Sequence, residues 1–396
     1  MQTEAGKKLV PLEGIRGIAA IIVLLYHFTL CFTLRGVQTI PTGHGVLDPI
    51  FRFLLCLLNG SAAVAVFFVL SGFILSLSFA KDQKLSRILT AILKRWPRLA
   101  ALPVAGCLFA WVMIIWSGSD YSAAAQIIGS NWLATHGNGP ITGQSMTWTG
   151  AIAQGLVTIF TTGNVSYDTP LWTMRIELYG SLATFLVAPL LFALRNPWAR
   201  AAAVVAVAVL AGIQYPFTYI TDFLIGTLLA MLFTSGRLPS FSNWQAAALG
   251  ALTIYLFSFT YEQVLPIHAP LKAIMPHGDT SHFIWDISAA LMILLVFGNP
   301  ALRRLFSGSW ATRLGALSFP IYLLHVPILL SVGAATFLWA TPHLGQTPAA
   351  LLAAFLCLIV TVACATPLVR MDEEWGTILG RVTRHLTHRE HVPAKP

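Results

Sequence analysis

The sequence predicts an all-α integral membrane protein with about ten transmembrane helices. Hydrophobic residues make up 56% of its 396 positions and charged residues only 10%, whereas soluble domains carry about 25% charged residues. Apolar stretches near the roughly 20 residues that cross a bilayer recur along the whole chain. They are predicted at residues 14–34, 60–80, 99–117, 170–194, 199–215, 218–235, 243–261, 281–298, 316–339 and 348–369.

The distribution of lysine and arginine predicts the orientation of these helices, because cytoplasmic loops carry an excess of both residues. If residues 1–12 are cytoplasmic, almost all basic residues outside the spans lie in cytoplasmic segments. Only Arg35, Arg52 and Lys272 lie in the opposite loops. Both termini are therefore expected in the cytoplasm. The excess of 24 basic over 15 acidic residues is then explained by orientation and not by nucleic-acid binding.

The spans are expected to form one domain, because no internal repeat and no long soluble insertion divides them. We predict a transmembrane domain at residues 1–370 and a cytoplasmic tail at 371–396, which is either an amphipathic surface helix or partly disordered. Residues 118–169 are rich in Gly, Ser, Thr and Asn and include an apolar patch at 150–160 that is too short to cross a membrane. They predict a partly structured cap or re-entrant lid.

Two ionisable residues on the first span are the strongest functional signal. Arg16 and His27 are eleven residues apart, which returns to nearly the same helix face three turns later and about 16 Å farther along. Ionisable side chains at membrane depth are costly and are functional candidates by default. The first helix is therefore expected to carry an anion anchor and a proton-transfer group.

Glu177 is the predicted partner of His27. His27 is roughly 22 Å above the cytoplasmic start of its span, and Glu177 is roughly 10 Å below the outer start of its own, in a core about 30 Å thick. Similar depth would let the carboxylate orient the imidazole of a general base. The alternative is a buried pair that only joins two helices.

Two further groups of residues are candidates for binding. Lys94, Arg95 and Arg98 precede the third span and suit a phosphorylated ligand, although ordinary lipid contact also explains such a cluster. Farther along the chain, Ser318, Tyr322 and His325 are spaced by four and three residues and therefore share one face of a helix. This stripe either binds substrate or packs between helices.

Five segments, in order, resemble the acyltransferase-3 group of multipass membrane acyltransferases, over a region from about Leu9 to Pro367. The opening helix resembles the family's Arg-x10-His segment, and the others resemble its FFxxSGF, KRxxRxxP, LWxLxxE and LGxxSYxxYLxH segments. In this chain they read LEGIRGIAAIIVLLYHF, AVFFVLSGFILS, LKRWPRLAALP, PLWTMRIELYGS and LGALSFPIYLLHVPI.

The resemblance implies transfer of an acyl group, most commonly acetyl, from cytoplasmic acyl-CoA to a hydroxyl of a carbohydrate or envelope acceptor across the membrane. It implies a bacterial inner-membrane enzyme without a metal. Arg16, His27 and Glu177 would form the catalytic set, with His27 as general base or as the carrier of a transient acyl group. The donor-binding set would be Arg16, Lys94, Arg95 and Arg98.

Other positions in these segments are weaker candidates for contact with substrate, namely Ser71, Trp172, Arg175, Tyr322 and His325. Arg175 stands where the family usually has a small or apolar residue, and Phe319 replaces its usual Tyr. The soluble esterase-like domain that the family commonly appends has no counterpart here, so we expect transfer by the membrane domain itself or with a separate partner. The alternative function is a proton-coupled transporter that uses the same buried ionisable groups.

Overall fold

A computed structural model shows an all-helical protein, with no strand among the residues that it describes. These are residues 9–32, 53–80, 85–118, 120–136, 146–194, 196, 198–200, 202–204, 206, 217–260, 265–274 and 281–388. The helices are α1 (Val10–Phe32), α2 (Gly60–Ala80), α3 (Leu85–Ser117), α4 (Asp120–Ile128), α5 (Asn131–His136), α6 (Trp148–Ala153), α7 (Ile159–Thr161), α8 (Trp172–Ala193), α9 (Ile220–Thr234), α10 (Asn243–Phe257), α11 (Ala269–Ile274), α12 (Ser281–Gly298), α13 (Pro300–Leu305), α14 (Ser309–Ile328), α15 (Ala334–Leu344) and α16 (Gln346–His388).

Seven of the described helical stretches are long and apolar enough to cross a membrane, which indicates an integral membrane protein. They are Val10–Phe32, Phe53–Leu77, Ile88–Ser117, Thr169–Ala193, Ser281–Gly298, Ser309–Leu344 and Gln346–Thr383. The predicted spans 218–235 and 243–261 correspond to α9 and α10, which have 15 residues each. The predicted span 199–215 lies mostly outside the described residues. The count of ten is therefore not confirmed.

Helices α1 and α14 pack closely because glycines lie between them. A Cβ atom at Gly17 would lie 2.6 Å from Leu314 Cγ, and one at Gly315 would lie 2.7 Å from the carbonyl oxygen of Glu13. Small residues let helix backbones approach in this way inside a membrane. The approach brings the side chain of Arg16 against α14.

Helices α2 and α9 approach even more closely. A Cβ atom at Gly72 would lie 2.1 Å from the carbonyl oxygen of Phe223, and one at Gly226 would lie 2.1 Å from that of Val69. The ring of Phe223 in turn fills the space over Gly180 on α8. These contacts join α2, α8 and α9 into one packed unit.

Replacing Gly226 by alanine is expected to lower the thermal unfolding temperature of the purified protein, because the new methyl group forces two backbones apart at a cost of about 1–3 kcal/mol. Gly250→Ala on α10 is the matched control. Beyond its own helix backbone, no atom of the described residues lies within 4 Å of a Cβ at Gly250, and alanine is favoured over glycine in a helix by about 1 kcal/mol. An unfolding temperature that is unchanged in Gly226→Ala would contradict the close packing.

Residues 146–171 fold back on themselves before α8 begins. The side chain of Thr147 caps α6 by accepting a hydrogen bond from the Gly150 amide at 3.0 Å. The Tyr167 hydroxyl donates to the Thr147 carbonyl at 2.9 Å, and the Tyr167 amide donates to Gln154 Oε1 at 2.9 Å. These bonds close the segment into a compact hairpin of short helices.

This hairpin reaches far along α3. Gly155 lies against the backbone of Pro103 and Val104, where a Cβ would be 2.5 Å from Val104 Cα. Farther toward the start of α3, the Trp96 indole donates to the Leu156 carbonyl at 3.0 Å. The apolar patch therefore packs along α3 from Val104 to Trp96.

Helices α4 and α5 lie over the end of α1. The Ser130 hydroxyl donates to the Leu30 carbonyl at 2.8 Å. The Trp132 ring lies 5.2 Å from the His27 ring, measured between centroids. Helices α4 and α5 thus cover His27 from one side.

The tail continues the last helix without a break as far as His388. It packs against α3, since the Trp375 indole donates to the Pro97 carbonyl at 2.9 Å and Asp372 pairs with Arg98. The described part of the tail is therefore an ordered helix attached to the bundle.

Candidate active site

A cavity of about 240 Å³ lies where six helices meet. Residues from α1, α2, α3, α8, α14 and α16 contribute to its wall, which combines charged groups with apolar side chains. The lining residues are Arg16, Val64, Phe67, Phe68, Ser71, Arg95, Arg98, Leu99, Thr173, Met174, Glu177, Ser318, Phe319, Tyr322 and Asp372.

Arg16 is held in place by α1 and α14 together. Its Nε donates to Ser318 Oγ at 2.9 Å and its Nη2 donates to the Gly315 carbonyl at 3.0 Å. Glu13, one turn earlier, forms an ion pair with the same nitrogen at 2.9 Å. The guanidinium is therefore fixed in the cavity wall by three groups.

Arg95 and Glu177 form an ion pair across α3 and α8. Only 15% and 12% of their side chains are exposed. A pair so deeply enclosed is sensitive to the loss of either partner, because the remaining charge would be buried without compensation.

Arg98 and Asp372 form a second, more exposed pair at the edge of the cavity. Arg98 Nη2 lies 2.7 Å from Asp372 Oδ2, and its Nη1 contacts the other carboxylate oxygen. This two-point geometry is the one in which guanidinium also binds phosphate. Lys94, which precedes the pair of arginines on α3, is not among the lining residues.

His27 lies beside a second histidine. His27 Nδ1 is 3.0 Å from His325 Nε2 and 2.9 Å from the Val23 carbonyl oxygen. His325 is fully buried, and its Nδ1 is 2.7 Å from the Tyr322 carbonyl oxygen. The two rings have centroids 4.9 Å apart.

Tyr322 connects the histidine pair to the cavity. It lines the cavity and its ring centroid is 5.9 Å from that of His325. Its hydroxyl donates to the Pro170 carbonyl at 2.8 Å and lies 3.0 Å from Thr173 Oγ1. Along α14, Ser318, Tyr322 and His325 thus run from the Arg16 end of the cavity to His27.

The family model described as an acyltransferase domain matches residues 10–369 of the chain. The chain belongs to the acyltransferase-3 family. The match covers every lining residue of the cavity except Asp372.

Three fungal proteins are similar to this acyltransferase over most of their length. O-acetyltransferase PaAT-1 of Phomopsis amygdali is 26% identical over 82% of this chain and 73% of its own. Acyltransferase R4 of Phoma sp. is 24% identical over 83% and 84%, and acyltransferase clz18 of Cochliobolus lunatus is 23% identical over 85% and 86%. No solved structure matches the chain.

These matches make the protein an acyltransferase, and they favour the enzyme over the transporter alternative. The three relatives are fungal, so they give no support to the expected bacterial inner membrane. Among the described residues of the acyltransferase, no cluster of three or more His, Cys, Asp or Glu side chains suits a metal ion.

In this acyltransferase the partner of Glu177 differs from the one predicted. Glu177 pairs with Arg95, and the position next to His27 Nδ1 is occupied by His325. Glu177 would lie at the depth of His27 if α8 started at the outer membrane boundary. However, the Pro170 carbonyl accepts a hydrogen bond from the Tyr322 hydroxyl, so α8 starts inside the bundle. This start brings Glu177 to the level of Arg95.

The weaker substrate-binding candidates are found in four places, one of which is the position of His325 beside His27. Ser71 and Tyr322 line the cavity. Trp172 packs on the ring of Tyr219, with centroids 5.7 Å apart. Arg175 lies over the Tyr179 ring, 5.8 Å from its centroid, and is not among the lining residues.

Sequence reasoning missed two groups at the site of the acyltransferase. Thr173 lines the cavity and contacts the Tyr322 hydroxyl, but a threonine in an apolar helix gives no signal of its own. Asp372 opens the acidic start of the tail, and only the fold brings it to Arg98, 274 positions away. Neither contact follows from local spacing.

Proposed function

We propose that this acyltransferase transfers an acyl group, most commonly acetyl, from cytoplasmic acyl-CoA to a hydroxyl of a carbohydrate or envelope acceptor on the far side of the membrane. The observation that carries the proposal is the cavity, whose wall includes Arg16, Arg95 and Arg98 and whose lining residue Tyr322 contacts His325, the neighbour of His27. Family membership supports the chemistry. The name of one relative, an O-acetyltransferase, supports acetyl transfer to oxygen.

The cavity wall suits the parts of acyl-CoA. The proposed phosphate ligands are Arg16, Arg95 and Arg98, because guanidinium groups bind phosphate oxygens at two points. The pair of Arg98 and Asp372 is more than 30% exposed on both sides, which suits a nucleotide that projects from the cavity mouth. The pantetheine arm would follow the apolar wall toward Tyr322. Lys94, one position before Arg95, would add positive charge without direct contact.

His27 would act as the general base. Its Nδ1 lies against the Val23 carbonyl, which can only accept a hydrogen bond, so this nitrogen carries the proton and Nε2 carries the lone pair. Nε2 takes the proton of the acceptor hydroxyl while the oxygen forms a bond to the thioester carbonyl carbon. The carbon–sulfur bond then breaks, and the thiolate of coenzyme A takes the proton from the imidazolium.

The alternative path begins with His27 itself. Nε2 would attack the thioester carbon and release the coenzyme A thiolate, leaving an acyl-imidazolium. The oxygen of the acceptor hydroxyl then bonds to the acyl carbon, the carbon–nitrogen bond breaks, and the coenzyme A thiolate takes the hydroxyl proton. Glu177 would serve both paths by holding Arg95 in the cavity wall. A protein-bound acyl group trapped in the absence of acceptor would favour this second path.

We expect purified protein in lipid vesicles to transfer labelled acetyl from acetyl-CoA to polysaccharide acceptors. Acetyl-pantetheine, which lacks the nucleotide phosphates, is expected to react with a KM at least about tenfold higher, since even one lost charge-assisted bond costs about 1.5–3 kcal/mol. Product mass identifies the ester, and product formation against donor concentration gives the KM.

Vesicles without protein control for spontaneous transfer. Equal KM values for the two donors would contradict the arginine site while leaving acyl transfer intact. Absence of an ester with both donors and a range of hydroxyl acceptors would contradict the proposed function itself.

A further inference from the structure

We propose that His325 is a positioning residue for His27, which rests on the proposed role of His27 in acyl transfer. His325 holds the His27 ring and accepts a hydrogen bond from its Nδ1. In this arrangement a neutral imidazole takes the place that a carboxylate occupies beside the histidine of many hydrolases. His325 would not itself contact the donor or the acceptor.

The hydrogen-bond partners assign the tautomers of both rings. His325 Nδ1 lies 2.7 Å and 3.1 Å from the carbonyl oxygens of Tyr322 and Ile321. A carbonyl only accepts, so this nitrogen carries the proton and His325 Nε2 is an acceptor. His27 Nδ1, which also faces the Val23 carbonyl, therefore donates to His325 Nε2 at 3.0 Å.

This assignment directs the basic nitrogen of His27 away from His325. With Nδ1 protonated and shared between two acceptors, the lone pair of His27 lies on Nε2, on the opposite edge of the ring. Rotation of the ring would break both hydrogen bonds. His325 thus fixes which nitrogen takes the proton and where that nitrogen points.

A second imidazole suits this location better than a carboxylate. His325 is fully buried on α14, and an ionised carboxylate there would be an uncompensated charge in a low-dielectric interior. A neutral acceptor has no such cost in the resting enzyme. It still stabilises the imidazolium that forms when His27 takes a proton.

The test combines kinetics with a measurement that needs no activity. His325→Leu removes the acceptor and is expected to lower kcat about 100-fold, within the range that positioned acid–base groups contribute, with little change in the KM for the donor. His325→Gln places an amide oxygen near the former Nε2 and is expected to recover kcat to within about tenfold of the wild type. His268→Leu, which removes another fully buried histidine, is the control and is expected to keep the wild-type kcat.

Nitrogen NMR of protein labelled at histidine tests the geometry directly. In the wild type, both His27 and His325 are expected to carry the proton on Nδ1. A proton on Nε2 of neutral His27 would overturn the proposal whether or not the protein transfers acyl groups. A His325→Leu variant with wild-type kcat would overturn it too, as would a His325→Gln variant as inactive as His325→Leu.

Discussion

Replacement of His27 by alanine is expected to lower the rate of acyl transfer by about 10²- to 10⁴-fold, which is the contribution of a positioned general base. Donor affinity is expected to change less than about twofold, because Arg16, the proposed phosphate ligand on the same helix, lies about 16 Å away along it, and the other two ligands lie on α3. The measurement is the initial rate of ester formation from labelled acetyl-CoA, with binding of coenzyme A measured separately by calorimetry.

His27→Gln is the sharper variant for the same prediction. Glutamine keeps a polar group at this position but cannot take up a proton, so it is expected to be as inactive as alanine. Substantial transfer by either variant would mean that His27 is neither the base nor the acyl carrier. A loss of coenzyme A binding equal to the loss of rate would mean that the variants disrupt the cavity and not the chemistry.

Replacement of Arg95 by methionine is expected to lower the free energy of unfolding by about 3–5 kcal/mol and to abolish measurable binding of coenzyme A. The stability effect follows because Glu177 would keep a buried charge without its partner. The binding effect follows because one of the three proposed phosphate ligands is lost, and because the unpaired Glu177 carboxylate leaves a negative charge in the cavity wall. Denaturation in micelles and calorimetry measure the two effects.

The double variant Arg95→Met with Glu177→Met separates these two effects. It is expected to recover much of the lost stability, since apolar side chains can replace a buried ion pair at little cost, but not the binding of coenzyme A. Arg98→Met serves as comparison, because its pair with Asp372 is more exposed and such pairs contribute only about 0–1 kcal/mol. Equal destabilisation by Arg95→Met and Arg98→Met would contradict the assigned burial.

The sequence was sufficient for the parts of the site that lie on single helices. The span, the positions of Arg16 and His27 on it, and the stripe of Ser318, Tyr322 and His325 all follow from helical periodicity, and the structure places this stripe along one side of the site. Such spacings are local and survive in the fold. The family resemblance could be recognised for the same reason, because each of the five motifs lies within one segment of the chain.

Contacts between distant segments did not follow from the sequence. The depth of Glu177 was estimated from a start of α8 at the membrane boundary, whereas in the structure α8 starts buried within the bundle, where the Pro170 carbonyl accepts from Tyr322. Glu177 pairs with Arg95, which lies 82 positions earlier in the chain. Which residues Glu177 faces depends on how deep the hairpin reaches. Hydrophobicity locates an apolar segment but does not tell whether it crosses the membrane or turns back.

The uninterrupted helix between Arg16 and His27 gives these two residues a fixed separation along α1. Eleven helical steps separate the backbone positions of the anion anchor and the base by about 16 Å along the helix axis, and this separation does not change when the side chains move. One inserted residue would lengthen it by about 1.5 Å and turn His27 by about 100°. Donor specificity would then depend on the length of the arm between the phosphates and the thioester of the donor. The rise per residue of α1 would set the length that fits.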